Sequence, residues 1–256
     1  MYAIITGASK GIGKCIAIEL AKRQYNLILV ARSASLLTEV KEEIKIKFNV
    51  KVETLPLDLS ANDSSQKLLA FCESNNFKVN ILVNNAGYGL SGDLNKYSME
   101  ENSNMIQLNI LSLTQNIQTF LPILEKNAPS YILNLASTAA YQAVPKLAIY
   151  SATKAYVLSL SRALYHELKP KNISVTALSP GATATEFSDR AQIGEKGLKA
   201  AQKVNMTPEE VAKIGVEALF AKKPEVVAGV LNKIGAFGVW LLPKTISEKI
   251  AGSIYE

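Results

Sequence analysis

Short apolar, β-branched runs alternate along the chain with longer stretches of helical period. The runs predict strands at 2–6, 26–31, 50–57, 79–84, 130–136, 173–179 and 225–230. The stretches between them predict helices near 11–24, 33–47, 62–75, 98–126, 149–169 and 207–221. This alternation is typical of an α/β, doubly wound parallel sheet of about seven strands with helices on both faces. Ligands of such sheets bind at the carboxyl ends of the strands, so the residues after each strand are candidates for chemistry.

Length and composition indicate one globular domain. The chain has 256 residues, of which 48% are apolar and 20% are charged, with no repeat or low-complexity tract. The first residues, MYAIITGAS, enter a predicted strand at once and leave no room for a signal peptide, so we expect a cytoplasmic protein. The apolar run GAFGVWLLP is too short to span a bilayer.

Several classes of site are disfavoured by the residues present. Cys15 and Cys72 lie far apart in helical stretches and are predicted to be buried thiols. His166 is the only histidine, so we expect neither a metal site nor a histidine-based nucleophile. The net charge is +6, but the lysines are scattered, which argues against nucleic acid. A small ligand that carries phosphate explains part of the excess better.

A glycine-rich turn follows the first predicted strand. Gly7, Gly11 and Gly13 allow a tight turn, a close approach of the backbone to a diphosphate and close packing of a helix on the sheet. Glycines also serve as plain turns. The position after the first strand of a βαβ unit favours a dinucleotide site.

Two cations accompany this turn. Arg32 follows the second strand, where an NAD site places an acid, and the next acid is Glu39. Lys10 lies in the glycine turn itself. Either cation alone is equally explained as a solvated surface charge, but together they favour NADP over NAD because an arginine suits a 2′-phosphate.

Tyr150 and Lys154 lie four residues apart in a predicted helix, so their side chains share one face. A nearby positive charge lowers the pKa of a phenol, which would let Tyr150 exchange a proton near neutral pH. The alternative is that Tyr150 packs and Lys154 is solvated. The pair therefore needs support from the rest of the chain.

Further motifs supply that support. They are NNAG at 84–87, Asp58 in LPLDLS, Asn109 in IQLNIL, Ser137 thirteen residues before Tyr150, and PGATATEF from Pro180. In their order along the chain and at these spacings, the motifs resemble the short-chain dehydrogenase/reductase family, from residue 2 to about residue 187. The resemblance implies a single NAD(P)-binding Rossmann domain over 1–256, with a mobile substrate loop at about 185–206 and an apolar tail at about 231–256.

The resemblance also implies roles for individual residues. Tyr150 would donate a proton to a carbonyl oxygen while reduced nicotinamide delivers a hydride, and Ser137 would hold that oxygen. Lys154 would lower the pKa of Tyr150 and bind the nicotinamide ribose. Asn109 would place a water beside Lys154, or simply bond a neighbouring carbonyl. The implied NADP(H) site comprises Gly7, Ser9, Lys10, Gly11, Ile12, Gly13, Arg32, Asp58, Leu59, Asn84, Ala86, Gly87, Tyr150, Lys154, Pro180, Gly181, Thr183 and Thr185.

The predicted activity is an NADP(H)-dependent interconversion of a carbonyl and a secondary alcohol. The expected substrate site is apolar and is formed by Tyr88, Leu90, Tyr141, Val144, Leu147 and Phe187. Core packing explains any one of these residues equally well. Resemblance to the branch with 3-oxoacyl reductases and hydroxysteroid dehydrogenases favours a lipid-like carbonyl. The alternative function is a non-catalytic protein that senses NADP with the same fold.

Two features of assembly remain as expectations. The family usually associates through its long helices, which implies a homodimer or a homotetramer. The apolar tail, with Phe237, Trp240 and Leu241 close together, would cover the substrate pocket, form a subunit contact or rest on a membrane surface.

Overall fold

A seven-stranded parallel sheet forms the centre of the computed structural model, which describes residues 1–186, 191–192, 194, 197 and 205–255. The strand order is β3-β2-β1-β4-β5-β6-β7, and every neighbouring pair is parallel. The strands are β1 (Tyr2–Thr6), β2 (Asn26–Ala31), β3 (Val52–Pro56), β4 (Val79–Asn84), β5 (Ser130–Leu135), β6 (Ile173–Ser179) and β7 (Glu225–Val227). The predicted doubly wound sheet is confirmed.

Helices connect the strands and cover both faces of the sheet. They are α1 (Gly11–Lys22), α2 (Ala34–Lys47), α3 (Ser64–Ser74), α4 (Met99–Ile106), α5 (Leu113–Lys126), α6 (Ala148–Leu168), α7 (Pro208–Phe220), α8 (Val230–Leu241) and α9 (Lys244–Tyr255). The predicted helix near 98–126 consists of α4 and α5 joined by a π-helical turn, Gln107–Ser112. Short 3-10 turns occur at Leu94–Lys96, Thr138–Tyr141 and Lys169–Lys171.

The core forms two layers because successive strand residues point to opposite faces of the sheet. Ile5 packs with buried residues of α1, α2 and α7 on one face. Ile4 packs with buried residues of α3, α5 and α6 on the other face. The central strands β1, β2 and β4 are buried along almost their whole length, as expected for parallel strands that are covered on both sides.

Capping side chains set where several helices begin. Thr207 and Glu210 form a reciprocal capping box at the start of α7, where Pro208 takes the first helical position. Ser98 and Glu101 form a second capping box at the start of α4. The two boxes show that local hydrogen bonds between side chains and the backbone, as well as burial, determine where these helices begin.

The C-terminal region differs from the prediction. The strand expected at 225–230 ends at Val227, because Gly229 has φ = +86° and turns the chain into α8. The apolar tail, for which no helix or strand was predicted, forms the two helices α8 and α9. Among the described residues, no helix has both the length and the apolar composition needed to cross a membrane. Cys15 and Cys72 are buried and free, as predicted.

Candidate active site

One continuous cavity opens at the carboxyl ends of the strands. It has a volume of about 1840 Å³ and extends from the glycine turn after β1 to Tyr150 on α6 and to helices α8 and α9. A site for one drug-sized ligand occupies about 300–1,000 Å³. The cavity is therefore large enough for a dinucleotide and a second, smaller molecule together.

The glycine turn is held against the loop after β4. Gly7 has φ = +64°, and a Cβ on it would lie 2.7 Å from Asn85 Nδ2. Asn85 Nδ2 donates to the carbonyl oxygens of Thr6 (2.9 Å) and Gly7 (3.1 Å), and its backbone N–H donates to Thr6 Oγ1 (2.9 Å). Asn85 was not among the predicted site residues, although it is the second residue of NNAG. It links the two loops that form this end of the cavity.

Three cations lie close to the glycine turn, and two of them are paired with acids. Arg32 is exposed and lies on the cavity wall after β2. Lys10 forms an ion pair with Glu186, and Lys14 Nζ lies 2.6 Å from Glu43 Oε2. Within the described part of the chain, no acid forms a salt bridge with Arg32, so it is the cation most available to a bound anion.

Asp58 lies on the same wall, after β3. Its Oδ1 accepts hydrogen bonds from Ser60 N (2.9 Å) and Ser60 Oγ (2.7 Å), which fixes the carboxylate at the edge of the cavity. Leu59 follows it, is largely buried and also lines the cavity. Asp58 therefore lies on the cavity wall, and its position beside the adenine stays a prediction.

Tyr150 and Lys154 line the cavity from α6. Both are buried, with 7% and 6% of their surface exposed. Lys154 Nζ lies 5.8 Å from the centre of the Tyr150 ring and donates to Leu135 O at 2.7 Å. Burial lowers the pKa of Lys154 to about 8. The shared helix face predicted from the four-residue spacing is present, and it brings an ammonium close to a phenol in a site of low polarity.

Ser137 comes directly after β5 and lies on the same stretch of wall. Its Oγ accepts a hydrogen bond from Ala139 N (3.1 Å) and so caps the 3-10 turn Thr138–Tyr141. This bond orients the Ser137 hydroxyl at the end of β5. Ser137, Tyr150 and Lys154 are thus brought together by the ends of β5 and α6.

Asn109 lies behind the cavity wall, in the π-helical turn. Its Oδ1 accepts from Tyr88 N (3.1 Å), and its Nδ2 donates to Tyr88 O (2.9 Å) and Thr153 Oγ1 (3.1 Å). A Cβ on Gly87 would lie 2.9 Å from Asn109 Oδ1 and 3.6 Å from Lys154 Nζ. The expected bond to a neighbouring carbonyl is present, and Asn109 joins the β4 loop to α6. Its placing of a water stays a prediction.

The other predicted cofactor residues, apart from Asn84, line the same cavity. They are Gly7, Ser9, Lys10, Gly11, Ile12, Gly13, Ala86, Gly87, Pro180, Gly181, Thr183 and Thr185. A Cβ on Gly13 would overlap the carbonyl oxygen of Gly7, so this part of the wall has no room for a side chain. A turn that exposes backbone N–H groups, with Arg32 beside it, fits a dinucleotide that carries phosphate.

Besides Asn109, three predicted residues lie off the cavity wall, and these placements correct the prediction. Asn84 is buried and donates to Asn134 Oδ1 (3.0 Å), so it belongs to a polar network beneath the site. Tyr141 points away from the cavity: its hydroxyl donates to Glu225, and burial together with that carboxylate raises its pKa. Leu90 packs behind the wall, against the cluster that contains Tyr88.

The remaining predicted substrate-side residues lie on the cavity wall or outside the described residues, and their contact with substrate stays a prediction. Tyr88, Val144 and Leu147 line the cavity near Tyr150. Phe187 lies outside the described residues. Tyr88 is anchored at its far end, where its hydroxyl donates to Glu101 O at 3.2 Å.

Several residues of the wall were not predicted from the sequence. Gln142 follows the Ser137 turn, and its Oε1 is buried with no hydrogen-bond partner in the described chain. The tail contributes a whole side of the cavity through Leu231, Asn232, Gly235, Ala236, Gly238, Val239, Leu242, Ser247, Ile250 and Ala251. Of the three alternatives for the tail, covering the pocket is therefore observed. In the sequence, this contribution of the tail is indicated by the helical spacing of small and apolar residues in 231–242.

Comparison with known proteins agrees with this geometry. Residues 1–196 match the family described as short chain dehydrogenase. The chain is 36% identical over 193 residues to the very-long-chain 3-oxoacyl-CoA reductase of Mus musculus, with 73% of this chain and 61% of that protein covered. The chain therefore spans less than two thirds of the length of this relative.

Solved structures are also similar. A short-chain dehydrogenase from Sphingobium yanoikuyae in complex with NADPH superimposes with a TM-score of 0.80 at 30% identity, covering 94% of this chain and 93% of that one. An alcohol dehydrogenase from the archaeon Thermococcus sibiricus, complexed with 5-hydroxy-NADP, gives 0.77 at 30% identity, covering 88% and 94%. The chain belongs to the short-chain dehydrogenase family, as the sequence motifs implied.

Proposed function

We propose that the protein is an NADP(H)-dependent oxidoreductase that interconverts a carbonyl and a secondary alcohol. The observation that carries this proposal is that Ser137, Tyr150 and Lys154 line the same continuous cavity as the glycine turn. A proton donor, its neighbouring cation and a hydroxyl that can hold a carbonyl oxygen thus share one space with a dinucleotide site.

The chain's own residues would handle the oxygen and the proton. NADPH supplies a hydride to the carbonyl carbon when it is bound. Ser137 holds the carbonyl oxygen by donating its hydroxyl proton, and Tyr150 transfers its phenolic proton to that oxygen. The buried ammonium of Lys154 favours the resulting phenolate, because the Coulomb attraction between them is little screened at this depth.

A preference for NADP(H) over NAD(H) is supported by the charges at the glycine turn. Arg32 stands where an NAD site would have an acid, and Lys10 reaches the same region if it exchanges Glu186 for a phosphate. An exposed ion pair contributes only about 0–1 kcal/mol, so that exchange costs little. The two similar structures named above were solved with NADPH and with an NADP derivative.

We propose a hydrophobic ketone as the substrate, such as a 3-oxoacyl or steroid-like compound. Apolar side chains from several elements line the same cavity as Tyr150: Tyr88, Leu108, Val144, Leu147, Val239, Leu242 and Ile250. Such walls favour an apolar body, while Ser137 and Tyr150 take the carbonyl end. The name of the mouse relative, a 3-oxoacyl-CoA reductase, supports the same class.

A cytoplasmic homodimer or homotetramer completes the proposal. Leu111 and Tyr156 are 45% and 38% exposed, and Thr114 Oγ1 lies 3.0 Å from the Tyr156 hydroxyl, so α5 and α6 present one joined outer surface. Association there would bury these residues. The free thiols of Cys15 and Cys72 agree with a reducing compartment. Light scattering tests the association, and a monomer at high micromolar concentration would contradict it.

The proposed activity is tested by a screen of carbonyl compounds with NADPH, followed by the loss of NADPH absorbance. The panel should contain 3-oxoacyl thioesters, steroid ketones, small diketones and polar sugars. We expect turnover of hydrophobic ketones and little turnover of sugars. NADPH binding without turnover of any compound would instead support the NADP-sensing alternative.

A further inference from the structure

Helix α8 is apolar on both of its sides, yet none of its residues is buried. One side, with Asn232, Ala236 and Val239, lines the cavity. Val230, Ile234, Phe237 and Leu241 recur at the spacing of one helix face and form the opposite side, where each is at least 60% exposed. A helix that is hydrophobic all round is normally covered on all sides. The outer face of α8 therefore lacks a covering in the described chain.

The exposed surface continues around the tail and is large. We call it the tail patch; it consists of Val230, Ile234, Phe237, Trp240, Leu241 and Ile246, none of which lines the cavity. These side chains are between 46% and 75% exposed. Together they present on the order of 700 Å², whereas the largest apolar patch of an ordinary monomer is about 300–600 Å².

The charges around the tail patch indicate whether a second copy of the chain or a lipid surface covers it. Residues 229–256 contain three lysines, Lys233, Lys244 and Lys249, and two acids, Glu248 and Glu256. All three lysines are exposed. A second copy seated on this patch by two-fold symmetry would bring lysines against lysines. An anionic lipid surface would instead attract all three, and their long side chains can reach lipid headgroups while the apolar face is buried.

We infer that the tail patch docks on the surface of an anionic lipid bilayer, with α8 lying in the plane of the interface. A 12-residue helix is about 18 Å long, too short to span the hydrocarbon core but suited to lying along its boundary. Trp240, which is 75% exposed and stacks on Phe237, is the residue type enriched at that boundary. Docking would place the cavity, which α8 lines from its other side, next to the lipid.

Trp240 also provides the test, because it is the only tryptophan of the chain. The full chain is mixed with phosphatidylcholine vesicles that contain phosphatidylglycerol, or with pure phosphatidylcholine vesicles, and both tryptophan emission and co-sedimentation are measured. We expect a blue shift and co-sedimentation with the anionic vesicles, weakened by high salt. Vesicle binding requires no turnover, so this result is independent of the proposed activity.

Matched variants locate the contact. Phe237→Ser with Trp240→Ser should weaken co-sedimentation by at least about tenfold, and Lys233→Glu with Lys244→Glu should remove the preference for anionic vesicles. Neither Phe237 and Trp240 nor Lys233 and Lys244 line the cavity, so both double variants should keep the wild-type NADPH affinity. An NADPH titration therefore also shows whether the variants fold. Met99→Ser, on α4 and 85% exposed, removes an equally exposed apolar side chain elsewhere and should bind vesicles like the wild type.

Three results would overturn the inference. The first is the absence of vesicle binding by the wild type. The second is binding that the Phe237 and Trp240 variant leaves unchanged. The third is a dimer without lipid, with blue-shifted tryptophan emission, that this variant converts to monomers, because a second copy would then be the covering of the patch.

Discussion

Replacing Arg32 by alanine tests the assignment of the cofactor. Arg32 is exposed on the cavity wall, so a charge-assisted hydrogen bond to a 2′-phosphate should contribute about 1–2 kcal/mol there. Arg32→Ala should therefore weaken NADPH binding by about 5- to 30-fold and leave NADH binding unchanged, because NADH lacks the phosphate. Paired fluorescence titrations with NADPH and NADH measure both affinities.

The second cation behaves differently because it is paired. Lys10 must give up Glu186 before it can bind a phosphate. Glu186→Gln should free Lys10 and remove a negative charge from the wall, raising NADPH affinity by up to about fivefold, the equivalent of an exposed ion pair, without affecting NADH.

A control separates charge at the site from charge in general. Arg23 pairs with Glu19 at the end of α1 and does not line the cavity, so Arg23→Ala should leave the preference for NADPH unchanged. Equal losses of NADPH and NADH affinity in Arg32→Ala, or equal wild-type affinities for the two cofactors, would refute the reasoning. Arg32 would then be a solvated surface charge.

Two further predictions concern buried groups. Lys154 has a pKa near 8 in the folded chain and near 10.5 when exposed, so the unfolded state binds more protons between these values. The free energy of unfolding of the wild type, relative to that of Lys154→Met, should thus rise by about 3 kcal/mol from pH 8 to 10.5. Urea unfolding without cofactor measures this difference. A difference that stays constant with pH would contradict the burial of a charged amine. Gly13→Ala places a Cβ against the carbonyl of Gly7, so it should lower the free energy of unfolding by about 1–3 kcal/mol and remove most of the NADPH affinity. In the control Gly238→Ala the new Cβ meets nothing within 4 Å, so thermal unfolding should show a neutral or stabilising effect. Similar effects of both changes would contradict the packing of the turn.

The strands were predictable because burial on both faces leaves a simple pattern. The predicted bounds of β1, β2, β4 and β6 agree with the structure residue by residue. At the sheet edge the same pattern was misleading, since the apolar run at 225–230 is shared between a three-residue strand, a glycine turn and the start of α8. Apolar character alone does not distinguish a strand from a helix that lines a cavity.

The candidate site was predictable where residue type and spacing carry chemistry, as for Tyr150 and Lys154. The candidate site was less predictable where the direction of a side chain decides its role. Tyr141 and Asn84 stand in the expected segments, but Glu225 and Asn134 bind their polar groups away from the cavity. The sequence left the contribution of the tail open among three alternatives, because the choice depends on where α8 packs against the rest of the fold.

The most direct test of the account is the turnover of Tyr150→Phe on a ketone identified by the screen. The change removes only the phenolic proton, so NADPH affinity should stay within about twofold of the wild type while turnover falls by orders of magnitude. Lys154→Met should reduce both, because Lys154 acts on the phenol and lies at the cofactor cavity. If Tyr150→Phe kept more than about a tenth of the wild-type turnover, another group would have to donate the proton, and the central claim would be wrong.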